Sequence, residues 1–350
     1  MRSGSWSVVA GGEIEYRLAV RNRLLRGVTR VALSQPVVGL LGRKRREGVD
    51  AALDPQIAAV LEVQRLLRLP TLESMEPARA RRFAEHGMAP LDVPTRTMAE
   101  VIDTTVGGPD GEIPVRIFVP ADAGPHWIVY FHGGGGVIGS IRSSEPVTRL
   151  LAHQTGCTVA SVEYRLGPEH HHPAAIEDAC AAWDALMSRV PPDGRVAVAG
   201  DSFGGFLSAH VVRHARRKPD LQVLIYPMVD LTHSLPSIDR HAHGYLLTRS
   251  MVQWFRSHYT RPGDDREAAS PRFWSLHGSA PAIVATAGYD PLVDEGDDHA
   301  DRLQRAGVPV RHRRYPSLIH GFLSLAGGVR AARTATDELC ADIRELLGTR

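Results

Sequence analysis

Short strand-like runs recur along the second two thirds of the chain, largely apolar at 113–119, 127–131, 157–162, 196–199, 221–225 and 283–287 and mixed with Arg and His at 308–314. Runs of that length, rich in Val and Ile, predict strands, and those free of polar residues, at 127–131 and 196–199, predict strands buried on both faces. Between the later runs lie helical periodicities at 145–155, 173–187, 205–216, 292–306 and 330–347. Strands alternating with helices predict an α/β chain whose mostly parallel sheet is covered on both sides.

The alternation fails in two places. Before residue 99 the pattern is helical only, with segments at 55–69, ended by Pro70, and at 76–86. Between 228 and 280 it gives way to a mixed stretch holding Tyr245, Trp254, Phe255, Tyr259, Phe273 and Trp274. These two regions are expected to form the halves of a cap over the carboxyl ends of the strands, where such a sheet presents its site. The expected organisation is a basic extension over 1–48, cap helices over 49–98, and an α/β domain over 99–350 with a cap insertion at about 229–280.

Residues 1–48 carry ten Arg or Lys against three acids. The segment 16–32 places Val20, Leu24, Val28 and Val31 on one helical face and Arg23, Arg26 and Arg30 roughly opposite. A basic helix of this kind could touch an anionic membrane surface. Arg17 and Arg21 interrupt its apolar face, which favours a solvated helix packed on the protein body.

The whole chain, with 41 basic and 39 acidic residues and a net charge of +2, offers no field for a nucleic acid. Cys157, Cys180 and Cys340 are few, odd in number and widely spaced, so they read as small buried side chains rather than a disulfide frame or zinc site. Without a secretory or membrane-spanning run, the expectation is a soluble, cytoplasmic protein, and a sheet edge or the cap could make a homodimer.

The chemistry centres on Gly200-Asp201-Ser202-Phe203-Gly204, directly behind the apolar run 196–199. Such a Gly-x-Ser-x-Gly turn projects a serine hydroxyl above a sheet end. Serine needs a base, and the base an orienting carboxylate. Asp290 follows the run 283–287, ahead of its rivals Asp294, Glu295 and Asp297, which fall where acids ordinarily serve a helix dipole, and of Asp230. His320 follows the last strand through a turn at Pro316-Ser317. The run His132-Gly133-Gly134-Gly135-Gly136 after the strand 127–131 can offer backbone N–H groups to an oxyanion, as can the Phe203 N–H. It lacks the following Lys of a phosphate loop. The run His170-His171-His172 has no carboxylate cluster to complete a metal site.

These blocks, with Tyr164-Arg165-Leu166-Gly167-Pro168-Glu169-His170, Asp290-Pro291-Leu292-Val293-Asp294-Glu295-Gly296 and His320-Gly321-Phe322, resemble the hormone-sensitive-lipase family of α/β hydrolases over roughly 53–347. The resemblance implies an eight-stranded sheet with a helical cap and no cofactor or metal. It also implies Ser202 as nucleophile, Asp290 as acid, His320 as base, and the N–H groups of Gly134, Gly135 and Phe203 as oxyanion donors. The Tyr164 block would be structural, holding the loop beneath the glycine run. Position 136 is commonly a bulky aromatic in that family and is glycine here, while position 203 is commonly alanine and is phenylalanine here. The expected result is the loss of one pocket wall and the gain of a ring beside the nucleophile.

The implied activity is hydrolysis of a short or medium acyl ester, or of a lipid-derived ester, through an acyl-enzyme. An amidase or deacetylase would use the same groups. A receptor-like binding protein of this fold would typically have lost the histidine that stands here at 320.

Overall fold

In a computed structural model the residues described are Val38, 52–68, 70–87 and 93–349. The expected basic helix at 16–32, and with it nearly all of the 1–48 extension, lies outside them. Eight strands form one sheet: β1 (Glu100–Gly108), β2 (Gly111–Val119), β3 (Trp127–Phe131), β4 (Thr158–Val162), β5 (Val196–Asp201), β6 (Leu221–Ile225), β7 (Ala282–Tyr289) and β8 (Val310–Ile319). Their order is β1-β2-β4-β3-β5-β6-β7-β8. β2 runs antiparallel to both its neighbours, and every pairing from β4 through β8 is parallel.

The principal helices are α1 (Pro55–Leu66), α2 (Pro77–Gly87), α3 (Ile141–Thr155), α4 (Ala174–Leu186), α5 (Phe203–His214), α6 (Arg249–Tyr259), α7 (Val293–Arg305) and α8 (Arg330–Leu347). Successive strand residues face opposite sides. Ile128 and Tyr130 join Leu150, Leu151, Leu339 and Ile343 of α3 and α8, while Val129 and Phe131 join Ala179, Trp183 and Phe206 of α4 and α5. Two buried faces explain why the central runs 127–131 and 196–199 contain no polar residue, whereas β8, mostly half-buried, carries Arg311, Arg313 and Arg314.

Three elements depart from the expected pattern. β1 carries no clear strand signal, because its positions are exposed or half-buried apart from Val106. It exists through pairing with β2 across a two-residue turn at Pro109 and Asp110, where Gly108 opposes Gly111. α3 starts at Ile141, earlier than residue 145, because Ser140 and Ser143 form a reciprocal capping box. The Pro316-Ser317 pair is not a turn but part of β8. There Ala287 pairs with Tyr315 and Tyr289 with Ile319, so β8 carries extra residues against β7. Such a bulge bends the strand and re-aims the residues at its far end.

In this strand order β4 lies to one side of β3, and β5 to β8 lie to the other. The crevice at the carboxyl ends of β3 and β5 is therefore the topological switch point, where open α/β sheets bind ligands. Among the described residues, no helix is long and apolar enough to cross a membrane.

Candidate active site

Ser202 stands between the end of β5 and the start of α5 with φ +53° and ψ −116°. This is a sparsely populated conformation for a side-chain-bearing residue, and the surroundings impose it. The Ser202 N–H donates to the Ile225 carbonyl, and its own carbonyl accepts from Gly205 and Met228. Gly200 and Gly204 make the turn sterically feasible: a Cβ on Gly200 would meet the Gly204 carbonyl at 2.2 Å, and one on Gly204 the Phe131 carbonyl at 1.8 Å.

The His320 Nε2 lies 2.9 Å from the Ser202 hydroxyl, and its Nδ1 lies 2.7 Å from Asp290 Oδ2. Asp290, immediately after β7 and 1% exposed, also accepts from the Leu292 N–H at 2.8 Å. A buried carboxylate beside Nδ1 favours a proton on that nitrogen, leaving Nε2 to accept from the serine. The bulge in β8 is what brings His320 to this point, since Gly288 makes room for Pro316, whose carbonyl a Cβ there would meet at 2.3 Å.

The rival acids are engaged elsewhere. Asp230, five residues beyond β6, accepts from Thr232, Ser234 and Arg272. Asp294 accepts from the Ser237 N–H and from Arg240. Asp297 faces Thr286 and His312. Glu295 does more than face a helix dipole: it is buried and accepts from the Val229 N–H at 2.7 Å, and burial pushes its carboxyl well above the usual range.

Asp201 ties the glycine run to the nucleophile turn. Its Oδ1 accepts from the Gly133 N–H at 2.8 Å and the Tyr130 hydroxyl at 2.7 Å, and its Oδ2 from the Tyr226 hydroxyl at 3.4 Å. Burial, with Asp201 nearby, raises both tyrosines well above their ordinary value, so they remain protonated donors. His132 stacks on Tyr164 at 4.4 Å, and the Tyr164 hydroxyl donates to the His132 carbonyl at 2.7 Å. Gly134 and Gly135 adopt φ +122° and +60° and line a cavity together with Ser202 and His320. The Phe203 N–H belongs to the first turn of α5, where backbone donors have no intrahelical acceptor.

The Tyr164–His170 block holds this loop from below, as the Gly167 N–H donates to the Gly136 carbonyl at 2.8 Å. Arg81 of α2 adds hydrogen bonds to the carbonyls of Val137 and Gly167. No local signal about Arg81 could have revealed that reach. Asp201, in contrast, is visible in the sequence as a member of the pentapeptide.

The expected exchange at positions 136 and 203 takes another form. The Phe203 ring is fully buried against Tyr164, Phe206 and Tyr259, and a Cβ on Gly136 would lie 2.8 Å from Phe203 Cζ and from Tyr259 Cδ2. The ring occupies space beneath the glycine run instead of forming a wall of the cavity. Glycine at 136 is what leaves room for it.

The cavity, about 470 Å³, is bounded by Thr71, Leu72 and Phe83 from the N-terminal helical region and by Met251, Val252 and Phe255 from the 229–280 region. Among the described residues no cluster of three or more metal-ligating side chains occurs, and the His170–His172 run holds none. Cys157 and Cys340 are buried and Cys180 is half-buried; all three are free thiols.

Residues 128–324 match the family of the alpha/beta hydrolase fold. The chain is 37% identical to the carboxylic ester hydrolase LipN of Mycobacterium tuberculosis, over 88% of this chain and 87% of that protein. It is 34% identical to the ethyl acetate hydrolase of Pseudomonas putida, over 80% and 95% respectively. Among solved structures, an alpha/beta hydrolase enzyme from the metagenome of Lake Arreo superposes with a TM-score of 0.82 at 34% identity, covering 85% of this chain and all of the other. The Pyrobaculum calidifontis esterase gives 0.76 at 34% identity, covering 84% of this chain and 99% of the other. These likenesses agree with the resemblance to the hormone-sensitive-lipase family.

Proposed function

The chain belongs to the α/β-hydrolase fold family and is a carboxylic-ester hydrolase, and from that premise we propose that it cleaves short to medium acyl esters through an acyl-Ser202 intermediate. The observation that carries this reading is the unbroken hydrogen-bonded row from Ser202 through His320 to Asp290 at the cavity floor, beside the glycine run. In this reading His320 takes the serine proton as the hydroxyl oxygen bonds to the ester carbonyl carbon. Asp290 stabilises the imidazolium that results.

The negative charge on the former carbonyl oxygen is met by the N–H groups of Gly134, Gly135 and Phe203. The intermediate collapses, the C–O bond to the alcohol breaks, and His320 returns its proton to the departing oxygen. Water, deprotonated by His320, then repeats the sequence on the acyl-serine and releases the acid. No resident cofactor enters these steps. The regions 49–98 and 229–280, acting as a cap, would shield the reacting groups from water. A cavity of about 470 Å³ suits a small ester.

The test is mass spectrometry of the intact protein after a fluorophosphonate probe, with peptide mapping and Ser202→Ala as control, followed by a p-nitrophenyl acyl-length series. Labelling confined to Ser202 and a maximum at short or medium chains is the expected result. An unlabelled folded protein, or a maximum at the long-chain end of the series, would overturn it.

A further inference from the structure

The cavity is apolar over most of its wall, yet one side carries a cation that no acid of the described residues neutralises. Arg256, on α6 directly after Phe255, is half-buried and lines the cavity. Of the ion pairs within the described residues, none involves it. Its side chain makes one long hydrogen bond, from Nη1 to the Thr232 carbonyl at 3.4 Å. Burial first, and then the like charge of Arg266, hold its guanidinium below the usual arginine value. A partly desolvated charge with no counter-ion among the described residues costs free energy, so packing alone does not account for arginine at this position.

His233 follows Thr232 and lines the same cavity. Its Nδ1 is buried without a partner, and its backbone takes φ +51°, a conformation that side-chain-bearing residues seldom adopt. Burial and the Arg256 charge push its imidazole down to about 4, so at neutral pH the ring is uncharged and can present one N–H donor. Asp230, the acid that acts on His233, is held by Thr232, Ser234 and Arg272. Three carboxylates also line the cavity: Asp201, held by Tyr130 and the Gly133 N–H, Glu85, which faces Arg142, and Glu73. Glu73 accepts from Ser250 near the start of α6, about 9 Å along the helix from Arg256 at 1.5 Å per residue. Along α6 the cavity wall is therefore polarised, with Glu73 near the start of the helix and Arg256, unpaired among the described residues, further along it.

We propose that Arg256, assisted by His233, selects esters that carry a carboxylate on their acyl or alcohol part. This rests on the hydrolase reading of Ser202. The neighbouring Phe255 ring presses on the oxyanion loop, since a Cβ on Gly135 would lie 2.3 Å from Phe255 Cγ. One short helical stretch thus borders both the reacting carbonyl's donors and the anion's partner. A guanidinium can grip a carboxylate through two parallel hydrogen bonds, a geometry that neither a neutral ester nor an ammonium reproduces.

The test compares matched esters in the full chain. On the acyl side, p-nitrophenyl hemiglutarate is set against p-nitrophenyl pentanoate; on the alcohol side, 4-acetoxybenzoate is set against its methyl ester. The readout is the ratio of kcat/KM for the anionic member to that for the neutral one, with glutarate tried as a competitive inhibitor. Arg256→Gln is expected to lower the ratio by about tenfold or more on one arm, chiefly through KM of the anionic ester, and to weaken glutarate inhibition in parallel. Arg256→Lys, which keeps the charge but not the paired hydrogen bonds, should retain only a minor part of the preference. A ratio unchanged on both arms, in a variant that still labels at Ser202, would overturn the anion reading alone. A wild-type chain that fails to label at Ser202 would sink both readings together.

Discussion

Gly204→Ala measures how strictly the close approach of the nucleophile turn to the glycine run sets the rate. The added Cβ would lie 1.8 Å from the Phe131 carbonyl oxygen, 2.7 Å from its carbon and 3.0 Å from the His132 oxygen. Real Cβ atoms essentially never approach within 3.0 Å, so the two segments must separate by at least 3.0 − 1.8 = 1.2 Å. Every obstructing atom is backbone, so no rotamer change relieves the clash. β3 is paired on both sides, to β4 and β5, so the shift falls on the residues after Phe131 or on the first turn of α5. Both segments carry the proposed oxyanion donors.

A displacement of about 1 Å typically costs on the order of a hundredfold in rate, and loss of one oxyanion donor about 10²–10³ in kcat. Gly204→Ala is therefore expected to lose about 10²–10³ in kcat on p-nitrophenyl butyrate. Fluorophosphonate labelling should slow in step, because the phosphoryl oxygen uses the same donors. Gly107→Ala, at a position where a Cβ meets nothing within 4 Å, supplies the control for losing a glycine. Activity of Gly204→Ala within about threefold of wild type, at an unchanged melting temperature, would refute the steric account of this turn.

Other contacts carry outcomes of their own. Asp201→Ala strands the Gly133 N–H and the Tyr130 hydroxyl, and should lower kcat by about 10- to 100-fold with little change in KM; an unaltered kcat would deny the carboxylate its positioning role. Phe203→Ala empties the space beneath Gly136 and should cost about 3–5 kcal/mol in urea unfolding, a loss below about 1 kcal/mol meaning that the ring is not close-packed. Asp342 is buried, which alone would raise its pKa, but hydrogen bonds from Arg313 and Arg311 hold it below the ordinary carboxylate value. Its contribution is thus complete above the unfolded value of about 4 and declines as pH falls through the lower folded value. Asp342→Asn should be less stable at neutral pH and lose less on acidification than wild type, and parallel acid limbs in a melting series would contradict this.

Much of the molecule is legible without coordinates because its signals are local. The uninterrupted run 196–199 ahead of Gly200 announces a strand meeting a tight turn, and β6 and α8 occupy the very spans their patterns predict, 221–225 and 330–347. The order Ser202, Asp290, His320 singles out three side chains that do meet in one hydrogen-bonded row, although serine and histidine stand 118 positions apart. Strand ends of a parallel sheet share an edge, so residues just beyond them converge whatever their separation in sequence.

The tertiary structure decided what no short window contains. β1 is a strand only because β2 supplies its hydrogen bonds, since its own residues are mostly exposed at the sheet edge. Pro316 and Ser317 have the composition of a turn, yet pairing with β7 draws them into a bulged strand that aims His320. The Phe203 ring faces inward because the space left by Gly136 lies beneath the glycine run, and Arg256 is distinguished only by the lack of any described acid beside it. Propensity and periodicity act over a few residues, whereas packing, charge compensation and the aim of a side chain depend on neighbours that the fold alone brings near.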